Sequence, residues 1–260
     1  MITSRRHALV KTFRDAARTP GDLTVIDGWH LVAEALSSGV PLHTVAVSTD
    51  ARDPAAPRLR RRLEAAGTAV VDVAPAVLDA LSPVRTPSGV AALVMRREPP
   101  PEALVAPPPA LVVVGLDIQD PGNAGALVRA AEAGGATGVV LAGASADPWS
   151  WKALRASMGS TFRLPVRRAR EAVAACAALR GQGVRLVAAV PHGGVPMHDA
   201  DLRSALALLV GGEGAGLPRA VRSLADAAVT VPMRAPVESL NVAVAAALLV
   251  YEADRQRSRR

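Results

Sequence analysis

Short apolar runs recur along the chain, separated by stretches long enough to be helices. In the first part they lie at Leu23–Ile26, Leu42–Val47, Ala69–Val73 and Val90–Val94. Between the first two, Gly28–Leu36 sets Leu31, Val32 and Ala35 at helical spacing, which predicts an amphipathic helix lying against a sheet. Later runs fall at Leu111–Leu116, Gly138–Ala142, Arg185–Val190, Ala205–Val210 and Ala228–Val231, and they are nearly continuous Val, Leu and Ala. Strands of that kind are buried on both faces, as in a parallel sheet covered by helices. The last segment, Ser239 to Arg257, predicts a helix whose negative end meets Arg255, Arg257, Arg259 and Arg260.

One interruption divides this pattern. RREPPPEALVAPPP, from Arg96 to Pro109, is too rich in proline for a helix or a central strand and reads as a semi-rigid linker. The expected organisation is a small α/β domain over residues 1–97, a linker over 98–109 and a larger α/β domain over 110–260.

With half of its 260 residues hydrophobic, the chain can bury a substantial core. A formal charge of +7 attracts polyanions, since phosphate neutralisation by Lys and Arg releases counterions, and so brings in nucleic acid as a partner. The basic stretch Arg5, Arg6, Lys11, Arg14 and Arg18 could meet RNA phosphates, although a charged run is more often a solvated face. The single Cys176 excludes an internal disulfide and fits a reducing cytoplasm. His7, His30, His43, His192 and His198 show no ligand spacing, so no metal is expected. No run reaches the length of a bilayer span, and the basic N-terminus lacks the apolar stretch of a secretory signal.

The strand Ala205–Val210 runs directly into Gly211-Gly212-Glu213-Gly214-Ala215-Gly216-Leu217-Pro218, a loop that lets backbone approach a ligand, with Pro218 suited to the first turn of a following helix. A dinucleotide-binding enzyme is the obvious alternative. Its spacing is G-x-G-x-x-G, however, and the strand ending Val231-Pro232-Met233 lacks the ribose-binding acid. A tight turn would explain some of the glycines but not the acid among them.

Three separated segments together resemble the SpoU/TrmH family of RNA 2′-O-methyltransferases, of the knotted SPOUT superfamily. They are Leu116-Asp117-Ile118-Gln119-Asp120-Pro121-Gly122-Asn123-Ala124-Gly125-Ala126-Leu127-Val128-Arg129, the glycine loop with Glu213, and Val231-Pro232-Met233-Arg234-Ala235-Pro236-Val237-Glu238-Ser239-Leu240-Asn241-Val242. They occur in the family's order, and Trp151–Ser160 between them resembles its connecting segment. Asp27-Gly28, Glu34-Ala35-Leu36 and Thr86-Pro87-Ser88-Gly89-Val90 are similar to the L30e-like substrate-binding domain that precedes many members. Ala235 stands where the family usually has glycine, and Ala243 where a small hydroxyl residue is common.

The resemblance implies an L30e-like α/β domain followed by a SPOUT domain, a parallel sheet flanked by helices with a C-terminal trefoil knot. It also implies a homodimer with active sites at the subunit interface. S-adenosylmethionine would lie against Leu209, Gly211, Gly212, Val231, Met233 and Leu240. Asn123, Arg129, Glu213, Ser239 and Asn241 would form the catalytic set, and Arg5, Arg6, Lys11 and Arg129 would meet RNA. Read locally, Asn123 could be a plain helix N-cap, Ser239 and Asn241 could cap the last helix, Glu213 could be a solvated loop carboxylate, and Arg129 could belong to a surface ion pair. Arginine is a poor base, so stabilising the developing alkoxide is its better role. Ribosomal RNA is favoured over transfer RNA, and antibiotic self-resistance stays open beside housekeeping modification. The readings from other classes are a nucleotide-cofactor oxidoreductase and a catalytically silent RNA-binding homologue. With aromatics at only 2%, stacking candidates reduce to Trp149 and Trp151 near Lys152.

Overall fold

The computed structural model describes residues 1–212 and 216–258. The chain divides into two compact units, Met1–Arg97 with Trp149–Arg163, and Glu98–Pro148 with Leu164–Arg260.

The first unit begins with α1 (Ala8–Arg18), β1 (Leu23–Asp27), α2 (Trp29–Ser37), β2 (Leu42–Ser48), α3 (Ala56–Ala65), β3 (Val70–Val73), α4 (Pro75–Leu81) and β4 (Val90–Met95). Its sheet runs β1-β4-β2-β3, with β4 antiparallel to both neighbours and β2 parallel to β3. Alternation along the strands supplies two apolar faces. Val25, Ala46, Ala91 and Leu93 meet Val10 and Phe13 of α1 and Val77, Leu78 and Leu81 of α4. Ile26, Val45, Val47, Val90, Ala92 and Val94 meet the expected amphipathic helix α2 through Trp29, Leu31, Val32 and Ala35, and α3 through Leu59 and Leu63.

Trp149, Leu154 and Phe162 join that second face, which the sequence had assigned to the larger domain. Their apolar surface is the reason. Trp149 packs on Phe162 with ring centroids 5.9 Å apart, and its carbonyl accepts a 2.7 Å bond from the buried Thr24 hydroxyl. This burial removes Trp149 from the candidates for base stacking.

The second unit contains β5 (Leu111–Leu116), α5 (Pro121–Ala133) and β6 (Gly138–Ala142). The chain then passes through α6 (Trp151–Ser157) and α7 (Ser160–Arg163) of the first unit. It returns as β7 (Val166–Ala169), α8 (Ala172–Gly181), β8 (Arg185–Ala189), β9 (Val195–Pro196), β10 (Leu206–Gly211), α9 (Arg219–Arg222), β11 (Ala227–Thr230) and α10 (Val242–Ser258). Its sheet runs β7-β6-β5-β10-β8-β11-β9, and every pairing is parallel. Leu206, Leu208 and Val210 of β10 face α5 and α10, while Ala207 and Leu209 face α8 and α9. Helices thus cover both faces, as the continuous apolar runs require.

Two strands escaped the hydrophobic pattern. In β7 the run is broken by Arg167 and Arg168, and β9 is a two-residue edge ending at Pro196. The proline-rich stretch is not a free spacer either. Pro101–Val105 forms a 3₁₀ turn whose Leu104 is buried, and the carbonyl of Leu104 accepts a 2.7 Å bond from the Thr137 hydroxyl. A side chain at Gly138 would stand 2.8 Å from Leu104 Cα, so glycine permits this docking. Ala235 does not take a positive φ, so its loop does not require the family's usual glycine.

The end of α10 is tied down by two polar systems. Arg257 donates to the carbonyls of Pro109, Ala110, Leu202 and Ser204. Buried Glu252 accepts from Arg255 at 2.6 and 2.8 Å and from Gln256 at 2.8 Å, and these bonds hold its carboxyl down at about 2, from an ordinary 4.5. A carboxylate depressed in the fold contributes stability above its unfolded value and loses it as pH falls. Glu252 should therefore cost the protein stability as pH drops from about 4.5 towards about 2. Urea unfolding across this range should show a shallower acid decline for Glu252→Gln; equal declines would assign the acid sensitivity elsewhere.

Candidate active site

In a covered parallel sheet, side chains fill both faces and ligands are left the crevice beyond the carboxyl ends of the strands. Such a crevice opens at the ends of β10, β8 and β11, which are adjacent in the sheet. It is a cavity of about 430 Å³, a size suited to a cofactor. Ala189, Val190 and Pro191 line it from the end of β8, Val210, Gly211, Gly212, Gly216 and Leu217 from the end of β10 and the glycine loop, and Val229, Val231, Met233, Ser239 and Leu240 from β11 and the segment after it. Val242, Ala245 and Leu249 of α10 form its floor, and Arg222 of α9 also faces it.

Five of the six expected cofactor residues, Gly211, Gly212, Val231, Met233 and Leu240, line this cavity. Leu209 does not. It is fully buried on the α8 side of β10, and strand alternation gives its neighbour Val210 to the cavity instead. The β8 residues were missed because strand order, invisible in the sequence, is what brings Pro191 beside the glycine loop.

The loop after β5 is fixed against the same edge. Asp117 takes a left-handed conformation, φ 55°, and its carboxylate accepts a 2.7 Å bond from the Ala144 amide. The Ile118 amide donates to the buried Ser145 hydroxyl at 3.0 Å. Gly212 donates its amide to the Leu116 carbonyl at 2.7 Å, and a side chain there would collide with the Asp117 carbonyl. The β5 and β10 loops therefore leave their strands with backbone against backbone.

The polar residues lie close to that contact along the chain. Asp120, not Asn123, is the N-cap of α5, accepting a 2.7 Å bond from the Asn123 amide, with Pro121 in the first turn. The Asn123 carboxamide, relieved of capping, accepts a 2.9 Å bond from Asn241 Nδ2. Asn241 caps α10 through its Oδ1, which receives the Ala243 amide at 2.9 Å. One hydrogen bond thus joins two helix starts 118 residues apart. Ser239 lines the cavity and does not cap α10.

Arg129 is exposed on α5, with no side-chain partner among the described residues; no surface ion pair holds it there. Six residues of helix put it about 9 Å along the axis from Asn123 and on another face. This chain therefore does not bring Arg129 to the Asn123–Asn241 pair. Glu213 lies outside the described residues. In the first unit Arg6 and Lys11 are exposed, whereas Arg5 donates through Nε to the Ala76 carbonyl at 2.8 Å. Trp151 is half-buried, with Lys152 Nζ 5.5 Å from its ring centre. Among the described residues, no cluster of His, Cys, Asp or Glu could hold a metal ion, and no helix is long and apolar enough to cross a membrane.

Residues 110–251 match the SpoU rRNA Methylase family, and residues 25–100 match the region described as RNA 2′-O ribose methyltransferase substrate binding. The chain is 35% identical to the 23S rRNA (guanosine(2553)-2′-O)-methyltransferase RlmP of Bacillus subtilis, over 90% of this chain and 89% of that one. It is 42% identical to the 23S rRNA (uridine(2479)-2′-O)-methyltransferase of Streptomyces viridochromogenes, over 53% and 50%. The crystal structure of the SpoU methyltransferase AviRb from S. viridochromogenes, in complex with the cofactor AdoMet, superposes with a TM-score of 0.85 at 30% identity, covering 98% of this chain and all of that one. The enzyme class expected from the sequence agrees with all three, and the oxidoreductase reading falls. With its motifs, its sheet and its crevice in accord, this chain belongs to the SpoU rRNA methylase family.

Proposed function

We propose that this protein transfers a methyl group from S-adenosylmethionine to a ribose 2′-hydroxyl of 23S ribosomal RNA. The observation that carries the reading is the cavity at the ends of β10, β8 and β11, lined by the glycine loop and by Val231, Met233 and Leu240, in a chain whose relatives include 23S rRNA 2′-O-methyltransferases. Its apolar walls and open backbone groups fit an adenosine and an aliphatic chain. S-adenosylmethionine supplies a methyl group already activated by a sulfonium, so the protein's share is to place the hydroxyl in line and stabilise its charge.

Ser239, at the cavity wall, and the tied Asn123–Asn241 pair border the entry of that hydroxyl, and Glu213 belongs to the catalytic set by the resemblance of its motif. Arg129 acts as the electrostatic partner of the developing alkoxide, and it reaches the site from a second copy of the chain. Two observations support this homodimer. Arg129 is exposed and by helical spacing sits on a different face of α5 from Asn123, and Val244, Leu248 and Tyr251 leave an apolar stripe exposed on α10 at helical spacing. Membership of the family supports a trefoil knot in this unit, and the β1-β4-β2-β3 sheet between helix layers supports an L30e-like first unit.

RNA capture falls to the first unit. It holds 16 of the chain's 30 Lys and Arg but only 9 of its 23 Asp and Glu, which is the whole net charge of +7. Arg5, Arg6 and Lys11 contribute to phosphate contact there.

Purified protein given labelled S-adenosylmethionine should place label in 23S rRNA, at an alkali-resistant linkage, and leave transfer RNA unlabelled. Labelling of transfer RNA alone would overturn the substrate assignment. Arg129→Ala should lower kcat by about 10²-fold or more while cofactor affinity stays within about twofold; parallel losses in both would make it a structural residue. Asn241→Ala should cost about 1 kcal/mol of stability through the lost cap. A double-mutant cycle with Asn123→Ala should show coupling of about 0.5–1.5 kcal/mol, and strict additivity would mean that the observed bond carries no net energy.

A further inference from the structure

Arg222 is the one ionisable side chain among the described residues lining the cavity, whose other walls are apolar groups, backbone and the Ser239 hydroxyl. It ends α9, a helix of one turn that follows directly on the glycine loop. Its own amide donates to the Pro218 carbonyl, and its guanidinium has no hydrogen bond or ion pair with any described residue. The fold therefore fixes where this exposed cation starts from and, among the described residues, gives it no partner.

Resting on the methyltransferase reading, we propose that Arg222 binds the α-carboxylate of the cofactor's amino-acid end and so sets which way round the cofactor lies. The charges of the ligand leave no other match. S-adenosylmethionine presents an ammonium, a sulfonium and a carboxylate, and a guanidinium repels the first two and pairs with the third through a bidentate fork. Arg222 is exposed at the edge of a cavity lined by polar and apolar groups in similar measure, and its permanent charge disfavours a ligand that is positive overall unless the carboxylate faces it. Arg222 thus contributes both attraction at one end and rejection of the reversed pose. The adenosine is left to the apolar walls around Val231 and Leu240. The inference concerns binding and orientation, and Arg222 takes no part in bond making.

Calorimetric titration with three ligands tests this. S-adenosylmethionine and S-adenosylhomocysteine carry the carboxylate; 5′-deoxy-5′-methylthioadenosine lacks the whole amino-acid end. Arg222→Met, which keeps an apolar stem of similar length, should weaken the first two by about tenfold and leave the third unchanged, and Arg222→Lys should recover part of the loss. Equal weakening of all three would make Arg222 a wall of the cavity and overturn the proposal. So would unchanged affinities, and if these came with weaker RNA binding the arginine would belong to the RNA surface. Failure of the unaltered protein to bind any of the three would remove the methyltransferase reading itself, an outcome separate from the others.

Discussion

The site depends on where β10 enters the sheet. It lies between β5 and β8, so the loops leaving β5 and β10 start side by side at the carboxyl edge, and where they touch there is no room for a side chain. Gly212 against the Asp117 carbonyl is that contact, and a left-handed Asp117 held by the Ala144 amide turns the chain away from it. A left-handed non-glycine residue is a local cost, offset by the bonds that surround it. Close to this contact along the chain come the start of α5, with the bond from Asn241 to Asn123, and the cavity at the strand ends.

Much of this architecture was legible because buried parallel strands write themselves as continuous Val and Leu, and the helix between Gly28 and Leu36 as a 3.6-residue repeat. What escaped did so for physical reasons. Arg167 and Arg168 broke the apolar signal of β7. Leu104 is a single buried anchor in a proline-rich stretch that composition alone assigns to a spacer. Trp149, Leu154 and Phe162 bury themselves in the first unit, although the chain on either side belongs to the second.

The cofactor cavity shows the same limit at finer scale. Motif matching found Gly211, Val231 and Leu240 because they sit in runs that carry the resemblance. It also took Leu209, one residue out of phase with the strand face that meets the cavity, and it passed over Val190 and Pro191, which reach the site through strand order, and Arg222, on the short helix after the glycine loop. Local sequence placed a cap near Asn123; geometry assigned it to Asp120 and gave Asn123 a longer reach. Charge divides as the fold does, with the net excess in the first unit and, among the described residues, Arg222 alone of the ionisable groups at the cavity.

The account stands on the crevice at the ends of β10, β8 and β11 being the cofactor site. A crystal structure of the protein grown with S-adenosylhomocysteine decides this most directly. The account predicts ligand density in that crevice, with its adenosine against the backbone of Val231, Met233 and Leu240 and the glycine loop around it. Ordered density at any other place, with the crevice filled by solvent, would contradict it.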